Sequence, residues 1–260
     1  MIEKGAAASG QGGAALRLPK NEGLARALVH AIHSGDVEQV RQLVTQKQGL
    51  AAARLVDEKG SCSTPLHAAT DWPGYFPNGP EIVSILIEGG ADPNVPVEGS
   101  RHAETPLHWA ASSDDVEVAR ALIDGGANIE AVGASLGGGT PLDDAVGYGC
   151  WQVARLLVAR GAGVDLGQAA ALGLMTRVEE MLRDDPPSLE ELADAFWLAC
   201  HGGQRRMAEL LLGLGADVNG TPSWGGGTPL DAADSQDTGR EALVTWLRER
   251  GATKSSDGAT

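Results

Sequence analysis

Cysteine is nearly absent from this 260-residue chain, which holds only Cys62, Cys150 and Cys200. Three scattered thiols cannot build a disulfide framework or a cysteine-based zinc site, so they are expected as buried, reduced core residues. Basic residues are also few: 20 Lys and Arg stand against 35 Asp and Glu, a formal charge of −15. Such a chain repels a phosphate backbone on average, which argues against nucleic acid as a partner. No apolar run approaches the roughly 20 residues that span a bilayer, and the N-terminus lacks the basic-then-apolar order of a secretory signal. No membrane association and a cytoplasmic location are therefore expected. Known hydrolase signatures are missing too: there is no Gly-x-Ser-x-Gly elbow, no His-Glu-x-x-His and no Cys-His pairing. The glycine runs at 137–139 and 225–227 lack a following Gly-Lys-Ser/Thr, so they are not phosphate loops, and no motif implies a cofactor.

What the sequence does contain is a repeat. Thr64-Pro65-Leu66-His67, Thr105-Pro106-Leu107-His108, Thr140-Pro141-Leu142-Asp143 and Thr228-Pro229-Leu230-Asp231 each open a helical pattern. A second helical pattern follows each, such as Val116 to Ile123 or Val153 to Val158, and then stops at glycine. The five stops are Gly90-Ala91, Gly126-Ala127, Gly161-Ala162, Gly215-Ala216 and Gly251-Ala252. The chemistry of each position fits its place. Thr caps the helix, Pro sits in the first turn where a missing N–H costs nothing, Leu enters the core, and Gly ends the second helix in a left-handed conformation. Three further helix pairs lack the opening motif, at 28–44, 166–182 and 192–212, giving about seven in all. Ser188 with Glu191 reads as a capping box opening the sixth.

These motifs closely resemble the ankyrin family from about Leu24 to Ala252. The resemblance implies an all-α solenoid of about seven helix-turn-helix repeats with irregular hairpin fingers, here over residues 21–252, with 1–20 and 253–260 as flexible ends. It also implies that His67 and His108 tie neighbouring repeats by hydrogen bonds. Asp143 and Asp231 replace that histidine, which is expected to weaken the tie and free two carboxylates.

Departures from the period are where functional information is expected. The second repeat carries about five extra residues, within Asp71 to Pro80, and three of the chain's ten aromatics, Trp72, Tyr75 and Phe76, lie there. They form either a loop folded back on its own repeat or a flap over the concave face. Between the turns at Gly149 and Gly173 only 24 residues pass, against the usual count of about 33, so a finger is missing and a notch beside repeats four to six is expected. The neighbouring connections, at 131–139 and 220–227, are long and glycine-rich, and Trp224 in the latter is placed for contact. Trp151, Trp197 and Trp246 fall on helices, where packing is their expected use.

Carried over from the family, the concave-facing positions correspond to His30, His33, Ser34, Asp71, Trp72, Trp109, Ser112, Asp144, Tyr148, Gln168, Leu172, Leu198, His201 and Gln236, with Ala68 and Ala232 leaving room. Rings with a polar edge suit recognition, so Trp109 and Tyr148 are the expected anchors. By default the resemblance implies a non-catalytic protein-interaction module, and the acidic charge favours a basic partner protein. The alternative is a small-molecule pocket, with Asp71, Asp144 and His201 moving protons, Tyr148 donating a hydrogen bond, and Trp109 with Trp72 stacking on the ligand. His30 and His33 share a helical face, but no third residue completes a metal site. Heavy use of Ala, Gly and Arg suggests a GC-rich bacterial genome.

Overall fold

The computed structural model describes residues 15–235 and 240–258. Gln236 and residues 1–14 lie outside them. The described residues hold seven helix pairs: α1 (Gly23–Ser34) with α2 (Val37–Gln46), α3 (Pro65–Ala69) with α4 (Gly79–Glu88), and α5 (Pro106–Ser112) with α6 (Val116–Asp124). The series continues as α7 (Pro141–Gly147) with α8 (Trp151–Ala159), α9 (Leu166–Ala171) with α10 (Met175–Asp184), α11 (Leu189–His201) with α12 (Arg205–Gly213), and α13 (Pro229–Asp234) with α14 (Glu241–Arg248). First helices stack on first helices through α13, and second on second from α2 to α8. The motif leucines Leu66, Leu107, Leu142 and Leu230 are buried in the seam between repeats. Truncating one of them would cost about 2–5 kcal/mol.

Capping boxes open α3, α5, α7, α9, α11 and α13, which is six of the seven inner helices. In the second repeat the Thr64 backbone N–H donates to Nδ1 of His67, and Nε2 of the same ring donates to the Glu104 carbonyl at 3.1 Å. That fixes one neutral tautomer and ties the second repeat to the third. His108 repeats the arrangement, with Nε2 3.4 Å from the Gly139 carbonyl. The aspartates at the same position do not weaken the tie. Asp143 accepts from the backbone and hydroxyl of Thr140 with one oxygen and from Gln168 Nε2 at 2.8 Å with the other. Asp231 accepts from Thr228 and Ser255. Neither carboxylate is free, because the acceptor role of an imidazole nitrogen passes to a carboxylate without loss.

Three features differ from the sequence expectation. Residues 17–19 form strand β1 (Arg17–Pro19), paired parallel to β2 (Arg54–Val56), which pairs antiparallel with β3 (Cys62–Ser63). Leu18 is buried and Arg54 pairs with Glu98 at 3.1 Å, so this small sheet covers the open end of the first repeat, and 15–20 is not a loose end. At the other terminus, Ser255–Gly258 make a 3-10 turn docked on Asp231.

The third difference concerns the missing finger. Residues 160–165 join α8 to α9 directly, and the inner helices close up rather than part. Ala169, Ala170 and Ala171 are fully buried and let α11 close in, so closely that a Cβ on Gly202 would lie 2.0 Å from the Ala171 carbonyl oxygen. The notch expected beside repeats four to six is a hollow of about 700 Å³ on the outer side, beside α10, lined by Leu166, Met181 and Pro187 among others.

Candidate functional site

The inner helices of the first three repeats enclose a groove of about 710 Å³. His30 and His33 stand on one wall, Trp109 and Asp71 on another, and the small Ala68 forms part of the floor. Lys20 and Arg26 line it as well, both on exposed positions. His33 is not available as a ligand: its Nε2 lies 3.0 Å from the Ala68 carbonyl and its ring stacks on Phe76 with centroids 4.2 Å apart.

The insertion of repeat two does not cover this groove, nor does it fold only on its own repeat. It runs along the turns that join inner to outer helices. Asn78 donates to the Gly35 carbonyl in repeat one, while Tyr75 donates from its backbone to Asp115 and from its hydroxyl to the Asp114 carbonyl in repeat three. The turns hold the loop through carbonyl and carboxylate acceptors. Trp72 is left 81% exposed, outside the groove lining. Asp71 is thus the insertion residue that reaches the groove.

Beyond Trp109 lies a second group of side chains. Asp144 is fully buried near the start of α7. Its Oδ1 accepts from Ser135 Oγ at 3.1 Å and from the Leu136 backbone at 3.3 Å, whereas its Oδ2 has no hydrogen-bond partner. Ser135 Oγ also lies 3.0 Å from the hydroxyl of Tyr148, which is 49% exposed. Burial pushes the Asp144 carboxyl above the ordinary carboxylate range. Glu104 is also raised, first by burial and then by the charge of Asp144, while a hydrogen bond with the Trp109 side chain acts in the opposite direction. Partly buried Glu104 is thus near enough to feel the charge of buried Asp144.

The remaining expected site residues hold the solenoid together. His201 is buried, with Nε2 donating to the Val146 carbonyl at 3.1 Å and its ring 5.3 Å from both Trp151 and Trp197. Burial lowers its pKa, which keeps the ring neutral. Gln168 is buried in its capping box, and Ser112 donates back to the Trp109 carbonyl. Leu172 is buried as well. Trp224 is 55% exposed and meets Trp197 edge-on at 5.9 Å, in a finger fastened by Ser223 to Asp194. Trp246 packs inside under Arg250. Asp144 and Tyr148 meet at the Ser135 hydroxyl, whereas Asp71 lines the groove and His201 is tied to Val146, so the four share no common centre. The buried thiols Cys150 and Cys200 are pushed up to about 11 and about 12, far from reactivity.

Glu104, Ser135 and Lys20 escape a reading based on inner-helix positions, whereas Arg26 lies on α1 one turn before His30 and is passed over. Glu104 does carry a signal, since it immediately precedes the Thr105 motif and so must sit at the root of a finger. Among the described residues no helix is long and apolar enough to cross a membrane.

Comparison with known proteins agrees with this architecture. The family model for ankyrin repeats, in three copies, matches residues 76–170. An Arabidopsis thaliana E3 ubiquitin-protein ligase is 34% identical over 90 residues, 34% of this chain. An ankyrin repeat and KH domain-containing protein of Caenorhabditis briggsae is 25% identical over 70% of it. An ankyrin repeat protein of fowlpox virus is 30% identical over 53%. The chain spans 5%, 8% and 28% of the length of these relatives. The crystal structure of the human ASB11 ankyrin repeat domain superposes with a TM-score of 0.51 at 21% identity, covering 84% of this chain and 96% of that domain. Motif, stacked helix pairs and relatives agree: this is an ankyrin-repeat chain, folded as a helix-turn-helix solenoid of the kind that generally mediates protein–protein interaction.

Proposed function

We propose that the inner-helix face binds a partner protein, with Trp109 and Tyr148 as anchors. The observation that carries this reading is the position of Trp109, half-buried in the wall of the open groove beside Ala68 and Asp71. A partner crossing the face meets this ring whichever way it runs, and a rigid aromatic gains contact area at small entropic cost. The acid/base reading finds less support, because Asp71 lies in the groove, apart from the Asp144–Ser135–Tyr148 cluster, and His201 is consumed by packing.

Charge supports a partner of mixed sign. Residues 1–60 hold eight basic and six acidic residues, whereas 61–260 hold twelve and 29. Lys20 and Arg26 at the groove therefore suit an acidic stretch, and the rest of the solenoid suits a basic one. The test places a photo-crosslinking amino acid at Trp109, at Tyr148 or on outer helix α6 at Arg120, captures the partner from cells, and repeats the capture with Trp109→Ala. Crosslinks from the two inner positions alone, lost in W109A and weakened by high salt, are expected. Equal crosslinking from Arg120, or an unchanged yield with W109A, would remove the inner face as the binding surface.

A further inference from the structure

Buried carboxylates are normally paired, hydrogen-bonded at both oxygens, or functional. Asp144 is none of the first two: it is wholly buried, only Oδ1 is satisfied, and none of the ion pairs among the described residues involves it or Glu104. The nearby imidazole cannot serve as counter-charge, since both nitrogens of His108 are engaged with Thr105 and Gly139. Neither carboxylate has an ion-pair partner among the described residues.

The Asp144 side chain is held by one finger. The finger of residues 131–139 reaches it through the Ser135 hydroxyl and the Leu136 N–H. At its root, Gly133 packs against the Ala103 carbonyl, where a Cβ would lie 2.4 Å away, so the same finger also passes beside Glu104. Leu136 rests its side chain on Gly147, yet remains 42% exposed. Gly137 and Gly138 at the tip take φ of 72° and 77°, backbone angles that other residues rarely adopt. Every hydrogen bond to the Asp144 side chain comes from two adjacent residues on a glycine-flanked loop.

We propose that the Asp144 and Glu104 carboxylates form a receptor for one basic side chain, an arginine or lysine of the partner, admitted when the Ser135–Leu136 tip lifts away. The cation supplies the charge that Asp144 lacks, its alkyl stem lies along the Trp109 ring, and the Tyr148 hydroxyl, released by Ser135, is free to turn toward the incoming side chain. A guanidinium suits the site best, because it can bond to both carboxylates at once. This inference rests on the inner-face reading above and names one contact within it.

The test titrates the full chain with argininamide and, separately, with its uncharged isostere citrullinamide, following the Trp109 indole N–H resonance assigned through Trp109→Phe. Saturable shifts with argininamide alone are expected. Asp144→Asn, checked as folded by its amide spectrum, should weaken binding roughly tenfold or more. Ser135→Ala, which removes part of the cover and leaves Asp144 hungrier, should strengthen it a few-fold. Equal shifts with both probes, unchanged affinity in folded D144N, or weaker binding in S135A would each overturn the receptor. If inner-face crosslinks to the captured partner persist at full yield in D144N, the receptor fails and the inner face stands; if the crosslinks come equally from Arg120, the inner face itself fails.

Discussion

His67 shows how much one residue of the motif does. Its ring is fully buried, caps α3 through Nδ1 and binds the next repeat through Nε2. Burial, opposed in part by the bond to Glu104, lowers its pKa from 6.5 to about 4. The folded form binds its proton less readily than the unfolded chain, so the stabilisation is fully present above about 6.5 and is lost as pH falls through about 4. At roughly 1.4 kcal/mol per pH unit, that is about 3 kcal/mol from this group. Urea unfolding at pH 7 and pH 4.5 should show His67→Asn losing less stability on acidification than the wild type. Parallel losses in the two proteins would mean the ring is not held neutral. Asp144 acts in the opposite sense, since its raised carboxyl favours the fold at low pH, and only the difference between variant and wild type isolates His67. The sequence made the histidine's role legible through its motif. It misjudged Asp143 and Asp231 because a substitution was taken as a loss, when the carboxylate accepts the same threonine N–H. Asp231 goes further: although burial raises it, bonds from Ser255 and Thr228 bring its carboxyl down to about 2.

At the scale of elements, the helices were legible because apolar spacing, Thr-Pro starts and glycine stops agree. The sheet was not, because β1 and β2 have three residues each and β3 two, too few for alternation to register. The missing finger was read correctly by counting, but not the side on which space is left: short Ala-rich α9 draws the flanking inner helices together, and the hollow lies beside outer helix α10. That seam can be tested with two alanines. Gly202 has an ordinary φ of −77°, so only crowding against Ala171 opposes a side chain there. Gly202→Ala should cost about 1–3 kcal/mol in denaturant unfolding. Gly213→Ala, at the end of α12 with open space around it, should be neutral or slightly stabilising. Two equal effects would show that the seam is looser than its geometry.

For the whole molecule, periodicity settles the architecture, since repeats bury their faces only on one another. The binding face is less legible because it depends on where loops come to rest. Nothing in Trp72-Pro73-Gly74-Tyr75-Phe76 distinguishes a flap over the groove from a strap along the turns; acceptors at Gly35 and Asp114 decide it, and they lie 37 residues before Trp72 and 42 after it.

Most links in this array join adjacent units, but the His201 bond to Val146 leaps over one. Under tension, units four, five and six should therefore give way as a single block, because the clasp between the outer two must open before the middle one can peel off. In an optical trap pulled from its ends, the chain should show one long extension step of that size. His201→Ala should split it into shorter ones, and a staircase of single units in the wild type would show that the clasp bears no force.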